Sequence, residues 1–221
     1  MFETESAGSG RIRVVDYRRE RRLLVRGAIL SAYPLDGDWR HLRREYWWRA
    51  LTLVSFRRRP TALFVGLGGG TQIHLLHRLS RPRLVTVIER DPAIVRVAID
   101  WFGLREVEPM EILCGEATPL AAALARAGRR FDFVMEDAAY ADDPEPAVAL
   151  AEALVPLVAP GGALVVNRHH RRDALGVAGA VRERFTHVRL HRVRREAENV
   201  LVYCAAPRQA GVRRRRNPGS A

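Results

Sequence analysis

The chain has 221 residues, 48% of them hydrophobic, which suits one sizeable domain with a small appendage. No apolar run approaches membrane-spanning length, and the opening MFETESAGSG lacks the basic-then-apolar order of a signal peptide, so no membrane partner and a cytoplasmic location are expected. The net charge of +12 comes from 37 arginines and no lysine; such a surface attracts anions and opposes a polycationic substrate.

Residues 1–10 read as a flexible tail. Arg11–Tyr17 and Arg21–Leu30 then read as two strands of a half-exposed hairpin, because Ile12 and Val14 alternate with Arg11 and Arg13. Ala32–Asp38 carries Pro34 and Gly37 and reads as a loop. Asp38 is placed to cap a helix that runs through Tyr46 and Trp48 to about Phe56. Its aromatic cluster, Tyr46, Trp47 and Trp48, is expected to serve packing. Three arginines and Pro60 mark a boundary, so residues 11–59 form a hairpin-and-helix extension before the main domain, residues 60–206.

The main domain opens on TALFVGLGGGTQIHLLHRLSRPRLVTVIERD, residues 61–91. An apolar run, Ala62–Val65, meets a glycine cluster, Gly66, Gly68, Gly69 and Gly70. A helical pattern and a second strand, Leu84–Ile88, follow, and Glu89 ends the unit. Glycines let the backbone turn off the strand and approach a ligand without a Cβ in the way. A carboxylate about 20 residues further on can accept both hydroxyls of a ribose.

Asp91-Pro92 starts the next helix as cap and first-turn proline. A third strand, Met110–Cys114, leads to Gly115-Glu116-Ala117, and an alanine-rich helix closes at Gly128. The fourth strand, Phe131–Glu136, delivers Asp137 to its end; an acidic, proline-containing loop and a helix to about Ala159 follow. Pro160-Gly161-Gly162 reads as a turn into a fifth strand, Ala163–Asn167, and Ala174–Phe185 as a helix. His187–Val193 and Asn199–Ala205 read as an antiparallel pair. Residues 207–221, with Arg213–Arg216, read as a basic disordered tail. Cys114 and Cys204 lie in apolar runs and are expected as buried thiols.

Five β–α alternations and a closing hairpin indicate an open, mostly parallel α/β sheet, whose ligands sit outside the carboxyl ends of the strands. Glu89, Glu116 and Asp137 all stand at such ends, beside the glycine loop. Three converging carboxylates favour a nucleoside site. His74 with His77, and the adjacent His169-His170, lack a complementary acid or cysteine, so packing or surface roles are expected and no metal.

VGLGGG, VIERDP, the CGEA turn, FDFVMED and VAPGGALVVN occur in the order found in class I S-adenosylmethionine-dependent methyltransferases. The LLVRGAIL segment and the REYWWRAL helix give a narrower resemblance to the spermidine synthase (aminopropyltransferase) family, over roughly residues 11–206. The resemblance implies a Rossmann-like fold with a seven-stranded, mostly parallel sheet and a small N-terminal β-hairpin and helix. It also implies that the glycine loop and Ala117 line a sulfonium nucleoside, Glu89 binds its ribose and Glu116 its adenine amine. Asp137 would take a proton from the attacking amine, with Tyr140 as its polar neighbour.

The chain departs from that family wherever a cationic amine is handled. Gly69 replaces the loop aspartate, Tyr140 replaces a second acid, the family's tyrosine and glutamate fall on Trp48 and Ala50, and its glutamine falls near Leu30. These departures favour S-adenosylmethionine as donor and methyl transfer to a small-molecule acceptor, anionic or an amine. Aminopropyl transfer from decarboxylated S-adenosylmethionine, releasing methylthioadenosine, is one alternative; a degenerate nucleoside-binding homologue is another. The arginine runs give nucleic acid a lesser place as partner, and the resembled family suggests a homodimer through the N-terminal strands.

Overall fold

The computed structural model describes residues 1–138, 144–194 and 198–208. Its N-terminal part is a four-stranded antiparallel sheet of β1 (Phe2–Ser6), β2 (Gly10–Tyr17), β3 (Glu20–Val25) and β4 (Ala28–Pro34), in that order. Two expectations are corrected here. The first ten residues contribute a strand to this sheet: Phe2 stacks on Trp101 at 5.2 Å, and Ser6 Oγ donates to Asp91 Oδ2 at 2.6 Å. The second expected strand is two strands, because the backbone reverses at Arg26-Gly27, both with positive φ.

The helix expected after Asp38 is also divided. Residues Trp39–Arg44 form a 3-10 turn capped by Asp38, Glu45 is extended at ψ 158°, and α1 (Tyr46–Thr52) starts afresh and stops short of Phe56. Then come β5 (Thr61–Val65), α2 (Thr71–Ser80), β6 (Leu84–Glu89), α3 (Pro92–Trp101), β7 (Met110–Cys114), α4 (Ala117–Arg126) and β8 (Phe131–Glu136). The chain continues through α5 (Pro144–Leu154), β9 (Val158–Arg168), α6 (Arg171–Val181), β10 (Phe185–Arg194) and β11 (Glu198–Pro207). The expected turn at Gly161-Gly162 lies inside β9, where the register with β8 shifts between Phe131 and Phe133. The helix expected to reach Phe185 stops at Val181, because Phe185 opens β10.

These strands form one seven-stranded sheet in the order β10-β11-β9-β8-β5-β6-β7, parallel from β9 to β7 and antiparallel in the closing hairpin. That is the mostly parallel α/β arrangement expected from the sequence. Every residue of β5 is buried, as befits a central strand covered on both faces. One face packs with the N-terminal sheet through Ile12, Leu23, Trp47, Phe64, Ile73 and Phe102, and the other packs with α4, α5 and α6. The N-terminal sheet therefore shares a core with the larger one. Cys204 is buried in that second layer; Cys114 is exposed, contrary to expectation, because it ends an edge strand. Of the basic tail, residues 209–221 lie outside the described residues.

His74 is a packing residue. It lies edge-on to Tyr33, its Nε2 stands 2.7 Å from the Phe102 carbonyl, and burial pushes it down to about 4. The folded chain thus holds fewer protons than the unfolded chain between about pH 6.5 and 4. Stability from the neutral imidazole is complete above that window and lost as pH falls through it. Urea titrations should show that moving from pH 7 to pH 4 costs the wild type up to about 3 kcal/mol more than His74→Gln. Equal losses would remove His74 from the acid response.

Candidate functional site

The carboxyl ends of the parallel strands are brought together by ladder bonds that run one residue past each strand. Gly66 N donates to Ile88 O at 2.9 Å, Asp137 N to Val65 O at 2.8 Å and Gly115 N to Glu89 O at 2.9 Å. Gly66 has φ +91°, and a Cβ there would lie 2.7 Å from the Asp137 carbonyl oxygen. Only glycine allows β5 and β8 to leave the sheet so close together.

A cavity of about 930 Å³ opens at this edge. It brings together Gly66, Gly68, Gly70, Glu89, Glu116 and Asp137, with Ala117 in its wall. Glu89 is held by the loop: its Oε2 accepts from Leu67 N at 2.9 Å and its Oε1 from Asp91 N at 3.0 Å. Glu116 is exposed at the N-terminus of α4 and makes no capping bond. Gly69 is set apart from the other glycines. Its N–H donates to Ser31 Oγ at 2.7 Å, and a Cβ on it would meet the Phe102 ring at 2.7 Å.

Asp137 is fixed by two donors that sequence reasoning did not assign to the site. Tyr46 Oη donates to Asp137 Oδ2 at 2.8 Å, and Asn167 Nδ2 donates to Oδ1 at 2.8 Å. Loss of solvent raises the carboxyl of Asp137, and these two donors pull the other way. Tyr46 is pushed far up by burial and by Asp137, so the phenol stays protonated and donating. The resemblance aligned the family tyrosine with Trp48, two residues away. The break at Glu45, which sets the phase of α1, is what turns Tyr46 toward the strand ends. Tyr140 lies outside the described residues.

Behind Asp137 is a buried ion pair. Arg168, 5% exposed, meets Glu136, fully buried, at 2.5 Å, while Glu136 Oε1 accepts from Ala138 N at 2.9 Å. Burial nevertheless pushes Glu136 up to about 7, against the pull of Arg168. Arg168 also donates to the Asn167 carbonyl at 2.5 Å and to that of Ala147 at 3.4 Å. The pair thus ties the ends of β8 and β9 to α5.

A second corner of the cavity lies between β4 and the first turn of α2. Thr71 Oγ1 is used twice by Ala32, donating to its carbonyl and accepting from its N–H. Ser31 Oγ accepts from Gly69 N and donates to the Leu30 carbonyl. Gln72, only 6% exposed, has a buried Nε2 with no partner. An unpaired buried amide costs about 1–3 kcal/mol. Gly70, the N-cap of α2, contributes no side-chain bond to that first turn.

The cavity is acidic although the chain is not. Among the described residues its wall carries Glu20, Glu45, Glu89, Glu116, Asp137 and Asp173. Its arginines are Arg22, Arg26, Arg90 and Arg168, of which Arg22 pairs with Glu20 and Arg168 with Glu136. His169 and His170 also reach the wall. No group of three or more metal-ligating side chains is assembled among the described residues, and no helix there is long and apolar enough to cross a membrane.

No family model matches the chain. It is 29% identical over 156 residues to the eEF1A lysine and N-terminal methyltransferase of Danio rerio, a match covering 65% of this chain. The chain spans 23% of the length of that curated relative. Among solved structures, human methyltransferase-like protein 13 in complex with SAH superposes with a TM-score of 0.61 at 20% identity, over 77% of this chain and 84% of that one. A spermidine synthase in complex with the transition-state analogue AdoDATO gives 0.68 at 11% identity, over 93% of this chain and 73% of that one. The fold is thus that of class I methyltransferases, which spermidine synthases share; the likeness is not specific to the synthases.

The ion pair gives a test of how the site is held. Arg168→Met, which leaves Glu136 buried without a counter-charge, should lose about 3–5 kcal/mol of stability in urea titrations. Adding Glu136→Gln should restore most of it. A double variant no more stable than the single one would mean that Arg168 acts through its contacts with the Asn167 and Ala147 carbonyls instead.

Proposed function

We propose that this chain binds S-adenosylmethionine in the cavity and transfers its methyl group to an amine. The observation that carries the reading is the joining of two halves in one space. The glycine loop with Glu89 and Glu116 suits a nucleoside, and Asp137, held by Tyr46 and Asn167, faces the same cavity. Glu89 would take the ribose hydroxyls, with Glu116 and Ala117 on the adenine side. The glycines keep the loop tight against its own protein, since a Cβ at Gly66, Gly68 or Gly70 would meet the Asp137 carbonyl, Ser31 Oγ or the Leu104 side chain, and the loop so held lines the cavity.

The donor supplies a methyl carbon made electrophilic by a sulfonium. For the acceptor, the chain must provide a neutral amine. Asp137 accepts the proton of the attacking nitrogen; the new N–C bond forms as the C–S bond breaks, and its electron pair stays on sulfur. A carboxylate raised by desolvation is a stronger base than a solvated one, and the donors Tyr46 and Asn167 keep it aimed. The acidic wall suits an approaching ammonium, so an amine is preferred to an anionic acceptor. The relative from Danio rerio, whose name describes a lysine and N-terminal methyltransferase, supports an amine and also extends the choice of acceptor to proteins.

Aminopropyl transfer is kept as a second reading because the match to the spermidine synthase neighbour covers 93% of this chain. Against it stands Phe102, which fills the space that a loop acid at position 69 would need. The products separate the two: S-adenosylhomocysteine from methyl transfer, methylthioadenosine from aminopropyl transfer.

The full chain should be incubated with S-adenosylmethionine and a panel of polyamines, lysine peptides, free N-terminal peptides and intact proteins, with mass spectrometry of both products. Methylated amine and S-adenosylhomocysteine are expected. Asp137→Asn should bind the donor as the wild type does and turn over about 10²- to 10⁴-fold more slowly. Unchanged turnover in Asp137→Asn would overturn its role as base.

A further inference from the structure

The arginines and the acids of this chain are not distributed alike. Residues 39–60 and 71–83 hold ten of the 37 arginines but one of the 25 acidic residues, Glu45. Elsewhere the two kinds of charge nearly balance. Folding puts the two segments side by side. The Arg78 guanidinium, on α2, lies 4.8 Å from the centre of the Trp39 ring in the 3-10 turn. Arg83 N donates to Pro60 O at 2.8 Å, which holds the chain after α2 against the chain before β5. Between these contacts, a hollow of about 510 Å³ brings Thr52, Phe56 and Arg58 to Leu79 and Ser80. Two of the ten arginines are paired, Arg40 with Asp38 and Arg57 with Asp132. The other eight are exposed and meet no carboxylate among the described residues. They come from the turn and α1 (Arg43, Arg44, Arg49), from Arg58-Arg59, and from the chain at and beyond the end of α2. Repulsion among like charges on one face opposes folding, and an anion that spans them relieves it.

We propose that this face is a docking surface for single-stranded RNA. A guanidinium can grip a phosphate through two parallel hydrogen bonds, and a polynucleotide repeats that phosphate along its length. An acidic protein surface is a poorer match, because protein interfaces keep charge away from their centres. The apolar groups among the arginines favour a single strand over a duplex. Trp48 lies 5.6 Å beneath the Arg43 guanidinium, Phe56 is half-buried and Leu79 is 42% exposed. A duplex would show these groups only its backbone, whereas a single strand also offers base faces for stacking. Two hydroxyls in the hollow favour RNA over DNA. Thr52 Oγ1 donates to the Arg49 carbonyl and Ser80 Oγ to that of Leu76, so each keeps lone pairs for a 2′-hydroxyl donor. The face also adjoins the cavity, to whose wall the same turn and α1 supply His41, Leu42 and Tyr46. An RNA held here lies beside the cavity, whatever the cavity itself binds.

The test is fluorescence anisotropy of the full chain with a labelled oligouridine RNA of about 20 nucleotides, longer than common single-strand site sizes. The affinity should fall with salt at a log–log slope of about −2 or steeper, each neutralised phosphate contributing about 0.7. A DNA oligomer of the same length should bind about twofold to tenfold less tightly, the range for one hydrogen bond. An RNA duplex should also bind less tightly than the single strand. Exchanging Arg49→Gln, Arg58→Gln and Arg83→Gln together should make the slope shallower by about 2. Arg44→Gln with Arg58→Gln serves if the triple variant does not fold. An unchanged slope in these variants, as expected if the arginines of residues 213–216 carried the binding, would overturn the proposal. So would equal binding of RNA and DNA, tighter binding of the duplex, or no binding of RNA at all. Displacement of the RNA by polyglutamate at equal charge would overturn it too, and would mark an acidic protein as the partner.

Discussion

The site depends on how closely two strand ends approach each other. β5 leaves the sheet at Gly66 and β8 leaves it at Asp137, with the backbone of one where a side chain of the other would be. That contact is why the loop and the carboxylate face one cavity. A Cβ at Gly66 would have to displace main chain, which is costly because the Asp137 backbone is itself bonded to Val65. Glu89 then depends on the loop in turn, since Leu67 N is one of its two donors. The loop therefore shapes this side of the cavity both directly and through Glu89.

Asp137 stands in a neighbourhood with an unusual density of buried polar groups. Tyr46, Asn167, Glu136 and Arg168 come from α1, β9, β8 and β9, so the carboxylate is held by elements distant in sequence. A buried ion pair is weak evidence for stability by itself, because desolvation offsets most of its attraction. Its value here is geometric. Arg168 ties β8 to β9 and α5, and that framework fixes where Asp137 points. Asn167 acts in the same way, sharing its amide between Asp137 and Asn199.

Much of the parallel sheet was legible in the sequence because its signals are local. Val65, Glu89, Cys114 and Glu136 end apolar runs that are followed by turn residues, and each does end a strand. The three acids could be placed at the carboxyl ends by counting alone. The N-terminal part was less legible. Whether Phe2–Ser6 pairs with β2 depends on Trp101 and Asp91, about ninety residues away, and nothing local reports it. Tyr46 packs against the core as expected, but its bond to Asp137 was not legible, for a related reason. An aromatic cluster on a short helix has an ordinary explanation in packing, and which of the three rings meets Asp137 is set by the break at Glu45.

Net charge is a poor guide to the charge of the cavity, and the reason is one of range. The arginine surface acts at a distance, but at physiological salt its influence fades over about 8 Å. Within the cavity the nearest charges decide, and these are mainly carboxylates. The sequence offers one number, +12, for both. Folding separates them: it pairs Arg22 with Glu20, both of the wall, and Arg168 with Glu136 behind it, so that two wall arginines and one wall acid are neutralised where they stand. What lines the cavity around Asp137 is mainly acidic, inside a protein whose net charge is positive.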